Sequence, residues 1–253
     1  MSDWDPTRYL QFTHERSRPM VELLARVPGQ ARRVLDLGCG PGHLSVLLRE
    51  RWPDAEITGV DASPAMIARA RAEDRRGTYV QADLRDLPPE RRADVVLSNA
   101  TYQWLPDHLE LLPELTEHVD DGGTFAFSVP GNQDGASHRL LAELAAHPPY
   151  AAYTADVVRS GAHGAATYLD VLARPGWHVD AWETTYLHVL PGEDPVFAWI
   201  SATGARPVLD ALPADLRPEF EDAYRAALRA AYPRVAYGTV LPFRRVFVVA
   251  TRT

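Results

Sequence analysis

A single cysteine, Cys39, cannot form an intrachain disulfide. Chains without disulfides belong to reducing compartments, so a cytoplasmic protein is the expectation. Positive charge is in deficit, with 26 Lys+Arg against 34 Asp+Glu and a net charge of -8. Nucleic-acid surfaces are basic, and this balance speaks against such a partner, although a pocket can still be locally positive for a small anion. No apolar run approaches a membrane span, and the opening MSDWDPTRYL lacks the charged-then-apolar pattern of a signal peptide. No metal-ligating cluster, internal repeat or low-complexity tract stands out, and nothing demands more than a monomer.

What is present suits a globular α/β protein: 46% apolar and 24% charged residues in a chain long enough for one sizeable domain with insertions. Apolar runs alternate with helix-period segments through the first half, the pattern of βαβ units on a parallel sheet. Strands are expected at RVLDLG (33–38), AEITGVD (55–61), TYVQADL (78–84), ADVVLSN (93–99) and GGTFAFSVP (122–130). Leu44, Leu47, Leu48 and Trp52 mark the packed face of a helix. Ser63 and Pro64 read as the N-cap and first residue of another. Farther on, a helix ends near Ala173, a turn falls at Pro175-Gly176, an alternating strand runs from Trp177 to Leu190, and RRVFVVAT (244–251) closes the chain as a strand. Five alternating units and two late strands make a seven-stranded sheet. The expected division within a single 1–253 domain is an N-terminal helical lid (1–30), a ligand-binding core (31–130), helical lid insertions (131–166 and 191–240), and the last helix and strands of the core (167–190 and 241–253).

The stretch VLDLGCGPGHLS (34–45) carries the chemistry. Gly38, Gly40 and Gly42 let the backbone pass close to a ligand and turn sharply into a helix. A dinucleotide fold wants G-x-G-x-x-G, with its third glycine at position 43; that position is His43 and the spacing is G-x-G-x-G. Asp36, two residues before the first glycine, would repel a pyrophosphate and favour an ammonium or sulfonium. A nicotinamide-dependent oxidoreductase is disfavoured on both counts.

In these residues the chain resembles the class I S-adenosylmethionine-dependent methyltransferases. The resemblance implies a Rossmann-like sheet with helices on both faces, and S-adenosylmethionine as cofactor. It assigns to the cofactor Asp36, Gly38, Cys39, Gly40 and Gly42 in the loop. Asp61 would pair with the ribose hydroxyls beside Ala62, and Met66 would line the adenine pocket. Asp83, next to Leu84, would accept from the exocyclic amine; Asn99 and Ala100 would face the methionine end. Arg16 is a candidate for the cofactor's own carboxylate. An acidic residue at one strand end is more often solvated than ligating; the weight lies in the ordered set.

The stretch Asn99-Ala100-Thr101-Tyr102 keeps the ends of the D/N-P-P-Y run of DNA and protein amide methyltransferases but lacks both prolines, which points to a small-molecule acceptor. DWDPTRYLQF, ERSRPMVELLARVP, GVDASPAMIARAR, SNATYQWLPDHLELLPEL, ATGARPVL and PFRRVFVVA are similar to the trans-aconitate 2-methyltransferases, with the weakest likeness across Asp134 to Gly164. This resemblance implies methyl transfer to a carboxylate of trans-aconitate, a small tricarboxylate, giving the monomethyl ester and S-adenosylhomocysteine. A carboxylate with a pKa near ~4 is already ionised at neutral pH, so no general base and no catalytic acid–base residue is expected. Low polarity and in-line placement do the work.

The carboxylates that do not react need a clamp, for which the arginine fork is suited. Candidates are Arg18, Arg206, Arg244 and Arg245, with Arg206 and one of the last pair favoured because each sits in an apolar stretch with few acidic neighbours. Tyr9, Phe12, Trp104, Tyr186 and Trp199 could enclose a cavity, though such aromatics are more often core; Gln103 and His14 are polar candidates, and His178 reads as a surface residue. Two rival readings keep the cofactor: an O- or C-methyltransferase acting on a secondary metabolite or lipid-like acceptor, which would want a base near the methyl group, and a non-catalytic binder, which only turnover separates.

Overall fold

The computed structural model describes residues 13–157 and 161–253, with side chains from residue 17 onward. The chain divides into two compact units. One comprises His14–Pro130, Ala162–Thr184 and Arg245–Thr253; the other gathers Gly131–Gly161 and Thr185–Arg244, so residues 162–166, expected in the first insertion, group with the sheet unit instead.

The first unit opens with helix α1 (Thr13–Arg26), followed by β1 (Arg33–Leu37), α2 (Ser45–Arg51), β2 (Glu56–Asp61), α3 (Pro64–Glu73), β3 (Thr78–Gln81), β4 (Ala93–Asn99), α4 (His108–Thr116) and β5 (Val119–Pro130). Strands β1 to β5 pair in parallel. The burial of four consecutive residues, Val95 to Ser98, marks β4 as covered on both faces, as a parallel sheet with helices on each side requires. Two sequence signals act as read. Ser63 caps α3, its Oγ accepting the Met66 N–H at 3.4 Å, and Pro64 supplies the fixed φ of the first turn. The carboxylate of Asp94 accepts the N–H groups of Arg32 and Arg33 at 2.7 and 2.8 Å, which pins the start of β1 to β4.

Helix α5 (Ala136–Ala145) and the single turn α6 (Ala151–Thr154) belong to the second unit, α7 (Ala165–Leu172) to the first. The long strand β6 (Trp177–Leu190) begins in the first unit and ends in the second. Helices α8 (Pro195–Ser201), α9 (Arg206–Ala211) and α10 (Arg217–Ala231) follow; then come β7 (Arg234–Val235) and β8 (Gly238–Arg252), the latter returning to the first unit at Arg245. The sheet order is β3-β2-β1-β4-β5-β8-β6, the expected seven strands, with β8 antiparallel to β5 and the two-residue β7 added as a hairpin partner of β8.

Several boundaries differ from the sequence reading, the largest at β8, which begins at Gly238, six residues before the expected Arg244. β3 stops at Gln81, three residues early. β5 starts at Val119, because a register shift lets Ala93 pair there before the main ladder opens at Val95–Thr124. The stretch from 191 to 240 is not wholly helical: its end forms the β7–β8 turn. Each unit has its own core. One is built on Leu35, Val96, Tyr102, Phe125, Phe127 and Val248, and the other on Trp199, Leu209, Phe220 and Tyr224.

Candidate functional site

The chain runs outward from β1 to β2 and β3, then returns to place β4 on the other side of β1. That reversal opens a crevice at the carboxyl ends of β1 and β4, where open α/β sheets take ligands.

The glycine turn follows β1. Gly38, Gly40 and Gly42 have φ of +75°, +55° and +76°, conformations that other residues adopt only under strain. Gly38 and Cys39 both donate to the Val60 carbonyl, at 2.7 and 3.0 Å. A Cβ on Gly38 would lie 2.1 Å from Thr101 Oγ1, whereas one on Gly40 would meet nothing within 4 Å. The first glycine is thus required by its neighbour, and the second leaves an open side.

Two carboxyls flank this turn. Asp61, ending β2, accepts the Gly40 N–H on Oδ2 and the Ser63 N–H on Oδ1, both at 2.9 Å, and each oxygen keeps a further lone pair. Asp36 is buried in β1, and burial, then the nearby Asp61, pushes its carboxyl up to about 7. Burial likewise drives the Cys39 thiol up, reinforced by Asp36 and Asp61, and the side chain packs with Ile67, Ala70 and Tyr79. A thiol so placed stays neutral and unreactive. Behind the turn, Tyr79 donates to Asp74 at 2.9 Å, and Asp74 pairs with Arg49 at 2.7 Å.

Ala62 is exposed and Met66 half-buried at the start of α3. Leu84, expected in β3, instead opens a 3₁₀ turn (Leu84–Asp86). The cause is Asp83, whose carboxylate accepts the Arg85 N–H at 3.0 Å and bends the chain. Arg85 also grips Asp107 through both carboxylate oxygens.

The end of β4 is tied to the glycine turn. Ser98 Oγ donates to the Leu37 carbonyl at 2.6 Å, and Thr101 Oγ1 to the Gly38 carbonyl at 3.3 Å. Ser128 Oγ donates to Asn99 Oδ1 at 2.6 Å, which leaves Asn99 its amide N–H donors. Ala100 has φ +60°, rare for a residue with a side chain. Its N–H donates to the Ser128 carbonyl at 2.8 Å, and its own carbonyl accepts Gln103 Nε2 at 2.7 Å. Sequence reasoning missed Ser98 and Ser128; the signal was there, a lone hydroxyl inside each apolar run, VVLSN and FAFSVP.

The arginine candidates separate. Arg245 is buried, 6% exposed, in register opposite Pro130 at the carboxyl end of β5. Arg244, in the other unit, donates its Nε to the Gly131 carbonyl at 2.6 Å and its N–H to Asn132 Oδ1 at 2.7 Å, which binds it to that turn. Arg206 was singled out for few acidic neighbours, and this needs correction: Asp210, one helical turn on, accepts its Nε at 3.2 Å. Arg18 is exposed on α1 and His178 exposed on β6. Trp104 is half-buried in the 3₁₀ turn Tyr102–Trp104. Tyr186 and Trp199 are buried around His188, with ring centroids 5.8 and 4.8 Å from its imidazole, within the second unit. Tyr9 and Phe12 lie outside the described residues, as do the side chains of His14 and Arg16.

These groups fit a cation-bearing nucleoside. Two carboxyls face a glycine turn with one open side, and Gln103 Oε1 is buried without a hydrogen-bond partner among the described residues.

A family model described as a methyltransferase domain matches residues 12–170. A trans-aconitate 2-methyltransferase of Streptomyces avermitilis is 48% identical over 98% of this chain and 96% of its own length. Another, of Escherichia coli O157:H7, is 44% identical over the full length of both chains. Among solved structures, the methyltransferase partner of the Haloferax volcanii Trm112 methyltransferase activator has a TM-score of 0.60 at 20% identity, covering 97% of this chain and 92% of that one. The plantazolicin methyltransferase BpumL, solved with S-adenosylhomocysteine, has a TM-score of 0.52 at 13% identity, covering 98% and 85%. The two structures bear on the fold alone.

Proposed function

Because the chain belongs to the trans-aconitate 2-methyltransferase family, within the S-adenosylmethionine-dependent methyltransferases, we propose that it esterifies trans-aconitate by positioning and charge alone. The activity is transfer of a methyl group from S-adenosylmethionine to a carboxylate of trans-aconitate. When bound, the cofactor supplies the methyl on a sulfonium, and every other requirement falls to the protein.

Asp36 and the glycine turn hold the cationic end, Asp61 the ribose, Met66 and Asp83 the adenine, and Asn99 and Ala100 the methionine end. The acceptor carboxylate is already ionised, so no side chain has to take a proton from it. The reaction brings an anion to a sulfonium and disperses both charges. Water exclusion and in-line alignment therefore lower the barrier more than acid–base catalysis would. Two of the three substrate carboxylates stay anionic throughout and need fixed cations.

The observation that carries the clamp is Arg245, a guanidinium buried beside the carboxyl end of β5. The planar guanidinium fork matches a carboxylate bidentately, and it lies near the carboxyl end of the sheet, where open α/β folds take ligands. Arg206 and Arg244 are the other candidates for that role. The segments 131–166 and 191–240 act as a substrate lid, and the protein works as a cytoplasmic monomer.

The test is S-adenosylhomocysteine release with trans-aconitate, cis-aconitate, citrate and no acceptor. Turnover is expected to be highest with trans-aconitate. Arg245→Ala should raise its KM at least ~10-fold while S-adenosylhomocysteine affinity is retained, the loss expected of one charged hydrogen-bonded pair. Turnover with trans-aconitate no faster than without acceptor would remove the substrate assignment. An unchanged KM in the variant would remove Arg245 from the clamp.

A further inference from the structure

We infer that Gln103 is a cofactor-binding residue that reads the α-ammonium group of the methionine moiety through Oε1; the inference rests on the cofactor reading above. Three observations meet in this side chain. Gln103 is 6% exposed. Its Nε2 donates to the Ala100 carbonyl at 2.7 Å. Its Oε1 is buried with no partner among the described residues.

The amide cannot be turned over to cure this, because the Ala100 carbonyl is an acceptor and needs the N–H group where it is. Ala100 is itself held in the left-handed region at φ +60°, with its N–H on the Ser128 carbonyl at 2.8 Å. A strained backbone gripped from both sides fixes the carbonyl, and the carbonyl fixes the amide. The result is a rigid acceptor that lacks a donor, a costly arrangement unless a ligand completes it.

Chemistry narrows the ligand. trans-Aconitate carries three carboxylates and no hydroxyl or amine, so once ionised it has nothing to donate. Donors on the cofactor are the adenine amine, the ribose hydroxyls and the α-ammonium. Asp61 ends β2 and Asp83 follows β3, on one side of β1, whereas Gln103 follows β4 on the other side. The nucleoside donors therefore fall to the first side and the ammonium to the second. Thr101, two residues before Gln103, touches the Gly38 carbonyl at 3.3 Å, which sets this segment against the glycine turn.

The experiment compares two ligands on each protein by calorimetry: S-adenosylhomocysteine, and its deaminated analogue with hydrogen in place of the α-amino group. Wild type is expected to prefer the ammonium form. Gln103→Met keeps the side chain's length but removes the acceptor, and should shrink that preference at least ~10-fold, as expected for one hydrogen bond to a charged group. Gln103→Glu retains an acceptor and should keep or enlarge the preference. If Gln103→Met weakens both ligands equally and leaves their ratio intact, the residue is only structural and the inference fails. Should Gln103→Met not fold, Gln103→Glu decides alone: a retained ratio supports the inference, and a ratio collapsing toward one overturns it. Failure of wild type to bind S-adenosylhomocysteine at all would instead bring down the cofactor reading beneath it.

Discussion

At Asp36, burial and the neighbouring Asp61 lift the carboxyl from 3.8 to about 7. Between those values the folded protein holds a proton that the unfolded chain has released. Stability of the ligand-free protein therefore falls as pH rises through that window, by up to about 4 kcal/mol. Urea titrations without ligand should show a more stable protein at low than at high pH across this window, and Asp36→Asn should abolish the difference while stabilising the protein on the alkaline side. The cofactor reverses the preference, because a cation favours the ionised carboxyl. S-Adenosylmethionine affinity is expected to rise with pH through the same range in wild type and to stay flat and weak in Asp36→Asn, as calorimetry would show. Gly38 makes a simpler case. Its φ is +75°, and a Cβ added there would come within 2.1 Å of Thr101 Oγ1, so Gly38→Ala is both strained and overpacked. A loss of at least ~2 kcal/mol in denaturant midpoint analysis is expected, with cofactor binding lost alongside.

Elements α2, α3 and β3 are joined by one polar contact set behind the glycine turn. Arg49 lies on α2, Asp74 caps the end of α3, and Tyr79 lies on β3. Burial pushes the Asp74 carboxyl up, but hydrogen bonds from Arg49, Tyr79 and the Arg76 N–H outweigh it and hold it below its usual range. The stability this contributes is present above the ordinary carboxylate pKa and lost as pH falls through the depressed one. Asp74→Asn should cost about 2 kcal/mol near neutral pH, and thermal melts should show the gap closing under strongly acidic conditions. Helices and strands in this region followed from the sequence because cap, turn and apolar spacing agreed. Where they disagreed, side-chain chemistry prevailed: Asp83 captured the Arg85 N–H and ended β3 early, although the run TYVQADL alternates as a strand should.

Two cores give the protein two semi-independent stabilities. Phe220 is fully buried, with Tyr150 edge-on at 4.9 Å, in the core that carries α8 to α10. Phe220→Ala should cost about 3–5 kcal/mol there. Hydrogen exchange is expected to show lost protection confined to Gly131–Gly161 and Thr185–Arg244, with S-adenosylhomocysteine affinity changed less than ~3-fold. Loss of protection spreading equally into β1 to β5 would contradict separate cores. No described helix is long and apolar enough to cross a membrane. Every one of the 26 basic side chains is arginine, with no lysine in the chain, so the cations available to a tricarboxylate keep their charge at any physiological pH.

The sequence by itself determined the strand order of types, the glycine turn and its preference for a cation, because these depend on local spacing and on the chemistry of adjacent residues. Asp36 and the G-x-G-x-G spacing were legible without any fold. The three-dimensional fold alone decided which polar groups are buried and which are already engaged. Arg206 is not such a case: Asp210 stands four residues on in the sequence, and the helix alone brings the two together. Arg244 and Arg245 are neighbours in sequence, yet one grips the Gly131 carbonyl and the other is buried opposite Pro130. Alternation along a strand sends adjacent side chains to opposite faces, so what each one meets depends on which strands were placed beside it, a matter of long-range pairing that no local pattern encodes.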